Sequence, residues 1–242
     1  VAAYQRAIRI QPDSAEAHAN CGIAYQETGR LAEAIKSYEH ALRLRPSLRE
    51  VRNNLGLALG HSGRWEAALR VFEEINKQSP EYSEGYVNTG LALKELQRLP
   101  EAIACFRRAI ALKSSIAEAH ANLGNALRES GDLAASMESL RTAIGVEPRL
   151  AAAHSGLGIA FEHQGLVSEA VACHTRALGL GRDDGLRIRS ALLMPVIPQS
   201  LEEIGHWRTR LAEQVFALAN EPLSVRDPDV TGITSAPSNF IR

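Results

Sequence analysis

The sequence lacks most of what would mark a catalyst, a membrane protein or a disulfide-stapled domain. Three cysteines in 242 residues make no disulfide framework and point to a cytoplasmic, reducing home. No run of eighteen apolar residues is present, so no membrane span is expected. The N-terminus, VAAYQRAIRIQPD, is uncharged only from Val1 to Gln5, too short a stretch for a secretory signal. Charge of one sign is missing too: 27 Lys and Arg stand against 28 Asp and Glu, a net charge of −1. That balance argues against a nucleic-acid surface. There is no glycine-rich phosphate loop, no nucleophile elbow and no helical histidine pair four residues apart. The chain is therefore expected to hold no catalytic residue, no metal and no cofactor. Cys21, Cys105 and Cys173 read as small buried hydrophobes.

What the sequence does have is repetition. Residues 15–25 read AEAHANCGIAY and residues 117–127 read AEAHANLGNAL, 102 residues apart, which is three times 34. Stepping by 34 gives Asn20, Asn54, Asn88 and Asn122, and Gly22, Gly56, Gly90, Gly124 and Gly158. Ala34 leads to Ala68, Ala102, Ser136 and Ala170, while Tyr38, Phe72, Phe106, Leu140 and His174 form a large-residue column. Pro12, Pro46, Pro80 and Pro148 mark repeat ends.

Each unit spells two helices. The first carries apolar or small residues at His18, Cys21, Gly22 and Tyr25, and the second at Ala34, Tyr38, Ala41 and Leu42, both at helical spacing. Gly29, Gly63, Gly131 and Gly165 close the first helix, because glycine enters the left-handed region without strain. Gln97 replaces glycine in one unit, and Pro100 follows where a helix start welcomes it. Small residues at Gly22 and Ala34 let the two helices approach closely.

This 34-residue helix-turn-helix resembles the tetratricopeptide repeat. The resemblance covers units 15–48, 49–82, 83–116, 117–150 and 151–184, with residues 1–14 as the second helix of a truncated repeat. It implies an all-α fold, a right-handed superhelical solenoid with a concave face built mainly from first helices. Residues 185–220 read as a degenerate pair of capping helices, and 221–242 as an irregular tail or linker toward a missing domain. The uncovered edge at Tyr4, Ile8 and Ile10 suggests homo-association.

The asparagines call for a reason, since asparagine is a middling helix former. A side-chain amide offers a donor and an acceptor together and can pair with the main chain of an extended peptide. Asn20, Asn54, Asn88 and Asn122 are therefore the candidate peptide-binding residues, unless they bond between repeats and serve the stack. Gln26, His61, Lys94 and Arg128 are candidate groove neighbours, and the column breaks at Gly156. Glu16, Glu50, Glu84 and Glu118 near the helix starts would repel a peptide carboxylate terminus.

The asparagine ladder, with phrases such as AEAHANLGNALRESGDL, also resembles the repeats of O-GlcNAc transferases and Spindly-type glycosyltransferases. In bacterial relatives a stretch like RIRSALLMPVIPQSLEEI precedes the catalytic domain, and a phrase like SNF at 238–240 begins the passage into it. That resemblance implies the substrate-recognition arm of a larger enzyme. A freestanding adaptor or assembly scaffold is the alternative.

Overall fold

The computed structural model describes residues 1–194 and 200–220. The Pro195 stop, the tail 221–242 and its SNF phrase lie outside the described residues. The described residues form thirteen α-helices and no strand. They divide into two compact units, Val1–Ser114 and Ser115–Arg242.

The first unit holds α1 (Ala2–Ile10), α2 (Ala15–Glu27), α3 (Leu31–Leu44), α4 (Arg49–His61), α5 (Trp65–Gln78), α6 (Ser83–Glu95) and α7 (Leu99–Leu112). Helices α2 and α3, α4 and α5, and α6 and α7 pack as antiparallel hairpins, and α3 and α5 carry each hairpin onto the next. The first helices of successive hairpins also meet, α2 on α4 and α4 on α6, forming a continuous row. No residue of α1 is buried, and Tyr4 and Ile10 are exposed. The second unit holds α8 (Ala117–Glu129), α9 (Leu133–Val146), α10 (Ala151–His163), α11 (Val167–Leu178), α12 (Asp184–Leu192) and α13 (Leu201–Ala219). It repeats the hairpin α8–α9 and α10–α11, with α8 also on α10, and then adds α12 against α11 and α13 against α12.

The sequence stops each first helix in the same way. Gly29 has φ +73°, and the Arg30 N–H donates back to the Tyr25 carbonyl at 2.9 Å, the bond that closes a helix C-terminus. The same backbone bond recurs from Arg64, Arg98, Asp132 and Leu166. In the third hairpin Gln97 itself adopts φ 59°, so a side chain sits where the other hairpins use glycine. Starts are capped more variably. Ser14 Oγ, Asp132 Oδ1, Asp183 Oδ1 and Ser200 Oγ each accept from a backbone N–H three residues on.

Inside each hairpin the large-residue column presses against a glycine of the partner helix. A Cβ added at Gly22 would come 2.5 Å from the Tyr38 ring, and one at Gly124 would come 2.6 Å from Leu140 Cγ. Phe72, Phe106 and His174 lie on Gly56, Gly90 and Gly158 likewise. Ala34, Ala68, Ala102, Ser136 and Ala170 are fully buried beside these contacts. In the second unit Met137, Leu140, Leu157 and Ala160 extend this core, and Trp207 is buried on α13, the helix that packs against α12. Arg210 holds α13 there by donating to the Ser190 and Leu193 carbonyls at 2.6 and 3.2 Å.

Candidate functional site

The candidate site is the polar face of the first helices. In the first unit Asn20, Asn54 and Asn88 stand at equivalent places on α2, α4 and α6, the three helices that meet in one row. Asn20 is exposed, while Asn54 and Asn88 are half-buried. Among the described residues the side chains of Asn20 and Asn54 make no hydrogen bond. Asn88 Nδ2 donates to Asn53 Oδ1 of the preceding hairpin at 2.7 Å. That bond uses one of its two N–H donors and leaves its carbonyl free to accept. In the second unit Asn122 holds the same place on α8, half-buried and without a side-chain bond among the described residues.

Gln26, Lys94, Arg128 and Glu162 share another position, and their environments diverge. Gln26 turns inward: its Oε1 accepts from the Tyr38 hydroxyl at 2.9 Å. Glu162 does the same toward His174, whose Nε2 donates to Oε1 at 2.6 Å. Opposite Phe106 and Leu140, which have no donor, stand the cations Lys94 and Arg128. Lys94 lies 3.4 Å from Glu95, and Arg128 lies 3.5 Å from Glu129. Gly60 occupies this position in the second hairpin, covered by the Trp65 ring. His61, at the end of α4, keeps an exposed surface, while partial burial of its ring holds its pKa below the usual histidine value.

Glu162 is a strongly perturbed acid. Burial alone would raise its pKa, but hydrogen bonds from His174 and Arg189 and the Arg189 charge outweigh burial and hold it at about 2. Both carboxylate oxygens receive Arg189 Nε, at 3.0 and 2.9 Å. The cysteines are in apolar settings: Cys21 is buried, and burial pushes the Cys105 and Cys173 thiols up. No group of three His, Cys, Asp or Glu suited to a metal occurs among the described residues. No described helix is long and apolar enough to cross a membrane.

The histidines near the helix starts have a job the sequence did not disclose. His18 and His154 bond to the Pro12 and Pro148 carbonyls at 2.8 and 2.9 Å, tying each first helix to the turn before it. Arg52 does the same to the Pro46 carbonyl at 2.6 Å. The readable signal was a long polar side chain six residues after each of these prolines.

Helical hairpins of one length, stacked through a glycine–aromatic seam, define a repeat protein of the helix-turn-helix class. The family model described as TPR repeat matches residues 1–29, 90–127 and 124–165. Two further models described as tetratricopeptide repeat match residues 22–83 and 153–188. The chain belongs to the tetratricopeptide repeat proteins, whose fold is a non-catalytic protein-interaction module. No curated protein matches the sequence. Among solved structures, a thermophilic tetratricopeptide repeat protein of Thermus thermophilus is similar at 23% identity and a TM-score of 0.66, over 74% of this chain and 97% of that one. MamA is similar at 26% identity and a TM-score of 0.56, over 66% of this chain and 93% of its own. YrrB, a tetratricopeptide repeat protein with an unusual peptide-binding site, is similar at 20% identity and a TM-score of 0.56, over 79% of this chain and 98% of its own.

Proposed function

We propose that the row of first helices binds extended polypeptide through the side-chain amides of Asn20, Asn54 and Asn88, with Asn122 offering the same group in the second unit. The observation that carries this reading is three asparagines at one repeat position on helices that touch, two of them with amides free of partners. Neighbouring helices pack about 8–10 Å apart, so an extended chain meets a new amide at about every third residue. Each amide bond contributes about 0.5–1.5 kcal/mol, while ordering each peptide residue costs about 1–2 kcal/mol. Backbone contacts alone therefore give weak binding, and affinity depends on side chains beside the row. A relative of this fold, YrrB, carries a peptide-binding site by its description, which supports a peptide as the partner. The triple variant Asn20→Ala, Asn54→Ala, Asn88→Ala is expected to weaken binding of a short unstructured peptide, followed by fluorescence anisotropy. Unchanged binding would return the asparagines to the stack, in the manner of the Asn88–Asn53 bond.

Within this reading the solenoid serves as the substrate-recognition arm of a larger glycosyltransferase of the O-GlcNAc transferase type. The support is the wording of the ladder repeats and of RIRSALLMPVIPQSLEEI. Reading the gene product beyond Arg242 tests it: a nucleotide-sugar domain is expected, and a stop there leaves a freestanding adaptor.

A further inference from the structure

The asparagine column lapses at Gly156, and the structure shows what fills the place. A Cβ on Gly156 would lie 2.6 Å from Asn125 Oδ1 and 2.9 Å from Leu140 Cδ2. The space where a side chain would leave α10 is thus taken by the amide of Asn125, reaching across from α8. Asn125 is itself the exception at its repeat position, which elsewhere holds Ile23, Leu57, Leu91 and Ile159. The two departures lie against each other: an apolar residue became an amide where an amide was lost. Asn125 is half-buried, and its side chain makes no hydrogen bond among the described residues.

One turn further along α8, on the same face, stands Arg128. Its side chain is only 16% exposed, yet its Nε is buried without an acceptor. Its ion pair with Glu129 is long, at 3.5 Å. The acid on the facing helix, Glu162, has both oxygens engaged by Arg189 and one also by His174. The Nε is closed to solvent, but the terminal nitrogens hold what exposure the side chain has and make no hydrogen bond, so a carboxylate supplied from outside can reach them.

We infer that Asn125 and Arg128 form a binding site for an acidic side chain of an extended polypeptide, Asn125 bonding the main chain in place of the missing rung and Arg128 taking the carboxylate. This site rests on the reading that the first-helix face holds extended chain. It adds a preference that the asparagine row, which bonds main chain only, does not supply.

The test uses the whole chain and two fluorescein-labelled serine- and alanine-rich peptides, identical except for a central Asp in one and Asn in the other. The Asp peptide is expected to bind about five- to tenfold tighter, as a charge-assisted hydrogen bond in a half-buried setting gives. The difference is expected to shrink with added salt. Arg128→Gln should abolish the ratio while leaving the Asn peptide little changed, and Arg128→Lys should keep part of it. Asn125→Leu, which installs the residue type of the other repeats, should weaken both peptides alike. A ratio that survives Arg128→Gln in a chain of unchanged circular dichroism overturns the carboxylate site. The Asn20, Asn54 and Asn88 triple variant then decides the amide row separately, because those residues lie in the other unit. Failure of both peptides to bind at millimolar concentration overturns the site and the row together.

Discussion

Removing the charge of Glu162 while keeping its shape isolates an electrostatic contribution inside the second unit. Glu162→Gln leaves an oxygen to accept from His174, the arrangement Gln26 already makes with Tyr38, but gives Arg189 no anion. At about 1.4 kcal/mol per tenfold in proton affinity, the drop from 4.5 to about 2 corresponds to about 3 kcal/mol. Arg189 is 47% exposed, and solvent screening of that partner reduces the expected loss to about 1–2 kcal/mol. The folded-state pKa is depressed, so this contribution is fully present above about pH 4.5 and fades as pH falls toward 2. Urea unfolding followed by the fluorescence of buried Trp207, in a Trp65→Phe background, reports on the second unit. The gap between parent and variant should be open at pH 7 and close between pH 4.5 and 2. A gap that stays constant across that window, or is absent at pH 7, would refute the assignment of the stabilisation to the carboxylate charge.

Replacing Gln97 by glycine should raise the melting temperature, with a gain of about 1 kcal/mol, because φ 59° strains any residue with a Cβ. Calorimetry decides it, and a lower melting temperature would show that the Gln97 side chain is needed. Gly124→Ala should cost about 1–3 kcal/mol, since the new methyl meets Leu140 Cγ at 2.6 Å and the Ser136 carbonyl at 3.0 Å. Denaturant titration of the second unit reads that loss. Asn88→Ala removes the bond to Asn53 and should destabilise the first unit by about 0.5–1.5 kcal/mol in urea. Cys105 and Cys173, both half-buried, should react with Ellman's reagent at pH 7.4 more slowly than free cysteine, because burial raises both thiols. Labelling of both at the rate of free cysteine would contradict that partial shielding.

The helical class was legible in the sequence because stacking requires the same residue at the same place in every hairpin. Gly22 and Tyr38 recur because two helices cannot approach that closely otherwise, and Gly29 recurs because a turn demands its backbone. Gln97 shows the limit: a side chain takes the same left-handed turn, so the missing glycine signalled a local cost rather than a different fold. What column reading does not display is a relation between columns. Taken singly, Gln26 and Glu162 are polar residues at a face position. Their inward bonds become visible only when compared with Tyr38 and His174, the two members of the large-residue column that can donate. The Pro12–His18, Pro46–Arg52 and Pro148–His154 bonds were hidden for the same reason, since histidine and arginine share reach but not a letter.

The glycine–aromatic seam has a consequence for how such a chain can be recombined. Every hairpin keeps the same backbone, yet each carries a private settlement between its two helices: Tyr38 with Gln26, His174 with Glu162, Trp65 over Gly60. Another settlement spans a junction between hairpins, where the Asn76 amide donates to Thr89 and fills the space beside Gly85. A crossover falling between the helices of one hairpin would bury a donor without its acceptor, or press a ring against a side chain. A crossover between hairpins breaks only the junction pairs. The heritable module is therefore the whole hairpin, and where a junction pair exists, the hairpin together with its neighbour.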